Sequence, residues 1–312
     1  MLSRSYQDRL FATGQFIPVA NPGLRPTSPL DQGQARATLV IPPHFEEHIK
    51  AHTPVTLQAL VDGTDVNNAR VIQNSLQATT QFFLRSAGLV PEARRSPFNL
   101  RLRLWFNPGR QESLYIVPGI FGVIFWVFPS MLAAICLVRE KEQGTILQVY
   151  ASDLTATEWL LGKHLAYWII GLGEALVVIG AAMVLFGLRV RGDPTLLLLG
   201  VGVYLAASVA FGLFVGARAG NQTGAVQGTA IVGFLTALLL SGFIYRLENI
   251  PFPLSLVSRI IPARYFIAIT RDGFVRGTGW PGVWYAPLVI ALIGALFFRL
   301  ATRILRRMQF SD

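Results

Sequence analysis

Charge is what this sequence has least of. Of its 312 residues only 14% are Asp, Glu, Lys or Arg, where a soluble domain carries about 25%, and the deficit excludes a chain that is water-soluble throughout. Cysteine is nearly absent: Cys136 stands alone inside an apolar run, so no intrachain disulfide can form and the redox compartment is not legible. Met1 to Ala20 lacks a basic start with an apolar core behind it, so no signal peptide is read there. Basic residues stand singly between apolar segments, without the runs of Lys and Arg that mark a nucleic-acid-binding arm, despite a net charge of +10. An anionic membrane surface accounts for that excess more simply. No Gly-x-x-x-x-Gly-Lys-Ser/Thr stretch is present to wrap phosphates at a helix N-terminus. The nearest fragment, Gly162-Lys163-His164, lacks the earlier glycine and the hydroxyl. The chain is therefore not read as an enzyme, and any ATP-driven work requires a partner.

The charges that exist are unevenly placed. Residues 1–112 hold 20 of the 44, and the 200 residues that follow hold 24. Two differently solvated regions share one chain. A span needs about 20 mostly apolar residues to cross the roughly 30 Å hydrocarbon layer, and five segments qualify: Leu114 to Val138, Leu165 to Leu188, Thr195 to Ala217, Ala225 to Tyr245, and Trp280 to Leu300. Arg139-Glu140-Lys141-Glu142 closes the first, Arg189 to Pro194 divides the second from the third, and the last runs into Arg303, Arg306 and Arg307. Of Trp126, Trp159, Trp168, Trp280, Trp284 and Tyr285, several fall where interfacial aromatics are expected.

Ahead of the spans, residues 36–106 read as a small α+β unit. Ala37 to Ile41 and Val55 to Val61 are expected strands, followed by a turn at Asp62-Gly63-Thr64-Asp65 and a helix from about Asn67 to Leu84. Leu100, Leu102, Leu104 and Phe106 alternate with Arg101, Arg103 and Trp105, which predicts a third strand with one wet face. Leu89 to Asn99, with Pro91 and Pro97, reads as a loop. The expected organisation is thus a mostly α membrane protein: a domain over 1–112, extracytoplasmic if the tail is cytoplasmic, and a membrane domain over 113–312. Orientation is ambiguous by charge, since Arg139, Lys141, Lys163 and the tail arginines oppose Arg246, Arg259, Arg264, Arg271 and Arg276. With a cytoplasmic tail, five spans put the N-terminal domain outside with nothing to export it, so a leading transmembrane helix, a sixth, is expected ahead of Met1.

Several stretches carry more than hydropathy. Between the first two spans, the charged segment 139–163, with Gly144 and a capping stretch from Thr155 to Glu158, predicts a short interfacial helix; a solvated loop is the alternative. Residues 246–279 are too polar to span and too apolar for a free loop. Pro251, Pro253 and Pro262 break them into pieces, and Leu254, Leu256, Val257, Ile260 and Ile261 can form one apolar face, a pattern of interfacial or re-entrant helices. Glu174 is the carboxylate deep within a span, where a charge costs about 2.5 to 3.5 kcal/mol and must face protein or water. Gly212, Gly216, Gly220, Gly224 and Gly228 recur every four residues and mark close helix packing, and Gln222 and Gln227 can hydrogen-bond between helices. His44-Phe45-Glu46-Glu47-His48 fits H-x-x-E-H, a zinc-hydrolase pattern, with His52 beyond it. Pro42 and Pro43 precede it and no carboxylate has a claim to be the third ligand, so an amphipathic surface helix is the reading and metal is not expected. Asn221-Gln222-Thr223 is a formal glycosylation sequon at a place expected to be cytoplasmic.

Three ordered stretches resemble the membrane subunit of type-2 ATP-binding-cassette (ABC) transporters, the exporter-type permeases. They are Arg103 to Gly119, with Trp105-Phe106-Asn107-Pro108 and Val117-Pro118-Gly119; Arg139 to Thr145 with Glu158 and Gly162-Lys163; and Ser241-Gly242-Phe243, Ile250-Pro251 and Ile261 to Phe266. Leu39 to Pro42 and Val61 to Thr64 look like that family's extracytoplasmic domain. Such permeases usually have six spans with this domain after the first. The resemblance implies a permease dimer, of one or two kinds of chain, in the cell inner membrane, with ABC ATP-binding subunits holding the ATP and Mg and a periplasmic adaptor as a further partner. It implies export of a drug, lipid or polymer. The segment 139–163 would couple to the ATPase through Glu140, Glu142, Gly144, Thr145, Asp153 and Glu158, and 246–279 would form an outer gate with Pro251, Pro262 and Tyr265. Ser152-Asp153 departs from the family's usual Ser-Pro. A scaffold or sensor that transmits force to its outer domain is the alternative of another class, and a membrane zinc hydrolase the remote one.

Overall fold

The computed structural model describes residues 2–19, 25–51, 53, 55–86, 98–107, 111–245, 247 and 250–309. Of the expected loop at 89–99, residues 89–97 lie outside these, as do His52, Pro108 and Arg246, while Phe98 and Asn99 belong to a strand instead. The chain divides into two compact units, Met1–Tyr115 and Ile116–Asp312.

In the first unit, α1 (Leu2–Ala12) and α2 (Ser28–Asp31) precede β1 (Ala37–Val40), α3 (Phe45–Lys50), β2 (Val55–Asp62), α4 (Val66–Ser86) and β3 (Phe98–Trp105). The sheet order is β1-β2-β3. β1 runs antiparallel to β2, with Ala37 opposite Val61, and β3 runs parallel to it, with Val55 opposite Phe98 and Asp62 opposite Trp105. A parallel neighbour needs a crossover, and α4 supplies it. Val55, Leu57 and Ala59 of β2 point inward while Thr56 and Gln58 are exposed, the alternation of a strand with one wet face. Tyr6, Phe45, Ile49, Leu57, Leu76 and Phe83 share the core, each fully buried side chain contributing roughly 1.5–3 kcal/mol. The Tyr6 hydroxyl pairs with Thr80 Oγ1 at 2.7 Å, because a buried hydroxyl without a partner is costly. The turn expected at Asp62 is present: Asp62 Oδ1 accepts from Thr64 N (3.0 Å) and Thr64 Oγ1 (2.6 Å), and Oδ2 accepts from Arg36 Nη1 (3.0 Å). Gly63 is required there, since a Cβ would stand 2.7 Å from the Trp105 carbonyl oxygen.

The second unit is helical. Among the described residues five helices are long and apolar enough to cross a membrane: α5 (Ser113–Glu142), α7 (Ala156–Phe186), α8 (Pro194–Arg218), a fourth over 222–239, and α14 (Tyr285–Gln309). The short α6 (Ile146–Tyr150) lies between the first two. The fourth is composite: α9 (Gln222–Gly228), a π-helical stretch (Thr229–Phe234) and α10 (Leu235–Leu239). It is followed by α11 (Leu254–Ser258), α12 (Pro262–Arg271), a second π stretch (Asp272–Arg276) and α13 (Trp280–Val283). α8 is the most buried span and α7 the least. α8 approaches α5 closely because its contact residues are small: a Cβ on Gly212 would fall 2.1 Å from Ser130 O and one on Gly216 2.8 Å from Ala134 O. Gly220 opens onto nothing within 4 Å, whereas a Cβ on Gly228 would meet Val215 Cγ1 of α8 at 3.2 Å, so the four-residue glycine repeat turns at its middle and packs on either side. An aromatic stack joins α5, α8 and α12. Tyr204 lies 4.0 Å from Phe266, and Trp126 5.5 Å from Tyr204. Trp126 is thus a core residue, whereas Trp284 and Tyr285, at the start of α14, are exposed as interfacial rings should be.

Candidate functional site

The apolar run of α5 stops at Arg139-Glu140-Lys141-Glu142, and successive residues of a helix point about 100° apart. Each of the last three therefore meets a different neighbour. Glu140 accepts a hydrogen bond from Lys163 of α7 and forms an ion pair with it. Lys163 Nζ also lies 3.5 Å from Cys136 Sγ and 4.9 Å from the centre of the Trp159 ring. Lys141 Nζ donates to the carbonyl oxygens of Gly216 (2.8 Å), Ala217 (2.6 Å) and Ala219 (3.4 Å), at the end of α8. Glu142 accepts from the backbone N of Gln222 at 2.9 Å, and from its side-chain amide, at the start of α9. One turn of the first span thereby holds the adjoining ends of the second, third and fourth.

The chain then leaves α5 through Gly144, whose φ of +70° is left-handed and suits the residue beyond a helix end. Thr145 Oγ1 donates to Glu140 O at 3.3 Å. Asp153 is exposed in the bend after α6, where Ser152 Oγ donates to Val149 O at 2.7 Å. The expected capping stretch is real but starts a different helix. Thr155 caps α7 itself, accepting from Glu158 N at 3.3 Å, while Glu158 Oε2 accepts from Thr155 N at 2.9 Å. The second span consequently begins at Ala156, and the short helix between the spans is α6, without that cap. Arg306 Nη2 of α14 donates to Thr157 Oγ1 at 2.9 Å. Residues 139–163, the turn at 219–221 and the far end of α14 thus share one end of the helical unit.

At the opposite end, Asp193 caps α8 by accepting from Thr195 Oγ1 (2.7 Å) and Thr195 N (2.8 Å). These bonds, that from the Thr195 side chain first, hold its carboxyl below the usual carboxylate range. Arg191 N and Gly192 N donate to Gly273 O at 2.8 and 2.9 Å. Asp272, buried, accepts from Thr278 N (3.0 Å), Thr278 Oγ1 and Gly279 N (2.8 Å). α12 enters among the spans: Phe266, Ile267 and Thr270 are buried, and Thr270 Oγ1 donates to Pro118 O of α5 at 2.8 Å. Pro262 opens α12 and is buried, Pro251 is exposed, and the Tyr265 hydroxyl donates to Arg259 O at 2.7 Å. Of the apolar face expected in this segment, Ile261 is buried, whereas Leu254, Leu256, Val257 and Ile260 are exposed.

Glu174 is half-buried in α7, one turn beyond Gly171, where α7 meets Leu205 and Pro129. The H-x-x-E-H stretch forms no ligand set. His44 precedes α3 with φ +59° and pairs with Glu47 (3.0 Å), and His48 Nδ1 pairs with Thr53 Oγ1 (3.1 Å). Phe45 and Ile49 face the core, as in an amphipathic helix. Among the described residues no three His, Cys, Asp or Glu come together to hold a metal. Lys141, Lys163 and Asp272 are not among the site residues expected from the sequence. The two lysines fall within the charged stretches that carry the family resemblance, whereas Asp272 has no such signal.

Comparison with known proteins identifies the family. A family model described as ABC-2 family transporter protein matches residues 29–303. The chain is 27% identical over 271 residues to the probable multidrug ABC transporter permease YbhS of Escherichia coli (strain K12), covering 86% of this chain and 72% of that one. It is 26% identical over 286 residues to the probable multidrug ABC transporter permease YbhR of the same organism, covering 90% and 76%. The inner membrane transport permease YhhJ of that strain is 27% identical over 285 residues, covering 87% and 73%. No solved structure matches.

Proposed function

The chain belongs to the ABC-2 transporter family, and from that membership we propose that this ABC permease subunit forms the membrane pathway of an exporter. Two such subunits assemble with two ABC ATP-binding subunits, which bind and hydrolyse the Mg-ATP. The cargo is of drug, lipid or polymer class; drug-like amphiphiles are favoured by the names of YbhS and YbhR. In this reading the protein lies in the cell inner membrane, residues 139–163 face the cytoplasm, and residues 1–112 stand outside, where a periplasmic adaptor can meet them.

The observation that carries the proposal is the triplet Glu140-Lys141-Glu142, which engages α7, α8 and α9 from one helix end. A push on the adjacent segment, delivered at Gly144, Thr145, Asp153 and the capped start of α7 at Glu158, is passed by those bonds to four spans. Packed helices with discrete hydrogen-bonded joints transmit such displacements as near-rigid bodies. At the other end, α12 is wedged against α5 and α8 by Phe266 and Thr270; Pro262 opens it, Tyr265 lies in its first turn, and Pro251 precedes α11. In this reading α12 acts as the gate on the exit side. Glu174 then faces protein or the pathway and not lipid.

The test is reconstitution of the chain in proteoliposomes with its ABC ATP-binding partner. ATP hydrolysis by the partner is expected to rise when the permease is present and to lose that stimulation when Glu140, Glu142 and Thr145 are replaced by Ala. Stimulation unaffected by the replacements would sink the coupling assignment.

A further inference from the structure

Lys141 has an unusual set of acceptors. Its ammonium reaches the carbonyl oxygens of Gly216, Ala217 and Ala219, and α8 ends at Arg218 with Ala219 as its C-cap. The last carbonyls of a helix have no intrahelical N–H partner, and a cation there also meets the negative end of the helix dipole. An ammonium carries three donors and no acceptor, which fits three converging carbonyls. The neighbouring Glu142 takes the complementary place, accepting from Gln222 N where α9 begins. The turn at 219–221 is therefore gripped from both sides by neighbouring residues of α5, with Lys141 bonded to backbone alone and Glu142 to the backbone N and the side-chain amide of Gln222.

We propose that Lys141 is a positioning residue that makes the α8–α9 turn follow the end of α5. Displacement of the coupling segment then reaches the third and fourth spans directly and not only through α7. This rests on the reading of 139–163 as the coupling segment. Without Lys141 the α8 carbonyls can bond water instead, α8 stays folded, and what is lost is the joint. A merely structural lysine would lower stability without changing which elements move together.

Spin-label distance measurements on the full chain in nanodiscs, with its ATP-binding partner and in a Cys136→Ser background, separate these cases. The first label pair is Gln143→Cys with Gly220→Cys, both exposed sites, and a Cβ at Gly220 meets nothing within 4 Å. The second pair, Gln143→Cys with Leu161→Cys, reports the coupling segment against α7. The first pair is expected to give one narrow distance that Mg-ATP with vanadate leaves unchanged. Lys141→Met should broaden that distribution at least about twofold, and Lys141→Arg should keep it narrow. The second pair should shift with nucleotide in all three proteins. A first-pair distribution as narrow in Lys141→Met as in the parent overturns the proposal and leaves the coupling reading intact. A second pair that ignores nucleotide in the parent overturns the coupling reading, and with it the role of Lys141 as a transmitter.

Discussion

Lys163 and Glu140 pair across the first two spans with their side chains 13% and 29% exposed, so the pair is largely withdrawn from water. Removing one partner of a buried pair leaves the other charge uncompensated, at about 3–5 kcal/mol when burial is complete. The partial exposure of Glu140 lowers that to about 1–3 kcal/mol. Glu140→Gln and Lys163→Met should each lower the melting temperature of the purified protein. The exchanged pair, Glu140→Lys with Lys163→Glu, should recover most of the loss. Additive losses in that double variant would show that the two side chains do not interact.

The glycine repeat gives a sharper contrast. A Cβ at Gly212 would collide with Ser130 O, while one at Gly220 meets open space. Gly212→Ala must part α8 from α5 and is expected to cost about 1–3 kcal/mol, as overpacking does. Gly220→Ala should stay within about 0.5 kcal/mol of the parent, as surface changes do. Size-exclusion thermostability profiles of the two variants would reveal this; equal losses would contradict the packing.

The five spans and the α+β unit were legible because apolar length and strand alternation are properties of the local sequence. What escaped was whatever depends on another part of the chain. By apolar length alone the second span runs from Leu165 to Leu188, after Glu158, Lys163 and His164. In the structure Glu158 caps the helix and Lys163 is neutralised by Glu140, so the helix starts at Ala156. Residues 246–279 read as too polar to span and as interfacial or re-entrant helices, but which face of α12 is buried was not legible: Phe266, Ile267 and Thr270 are buried while Arg264 and Arg271 lie beside them. The contacts of Lys141 were invisible for a simpler reason: its acceptors are backbone carbonyls of Gly216, Ala217 and Ala219, which leave no side-chain signature.

In the N-terminal unit, Glu46 titrates far from its ordinary range. The hydrogen bond from Lys50 (2.8 Å) and that from the Leu2 backbone N (3.2 Å) hold its carboxyl at about 2, against 4.5 for an unperturbed glutamate. A carboxyl depressed on folding stabilises the folded state above its unfolded value and loses that contribution as the pH falls through its folded value. The stability difference between the parent and Glu46→Gln should therefore be constant above about pH 4.5 and shrink from there towards pH 2. Thermal unfolding at a series of pH values checks this, and a difference that grows on acidification would contradict it.

The central claim is that the end of the helical unit carrying 139–163 receives the ATPase. Cysteine cross-linking in native membranes measures it most directly, using a Cys136→Ser background, the ATP-binding partner, and single cysteines at Asp153 or at Arg189 of the opposite end. Both positions are exposed. The account predicts a covalent product with the ATP-binding subunit from position 153 alone, with a yield that changes when Mg-ATP is trapped by vanadate. A product from position 189, with none from 153, would contradict it.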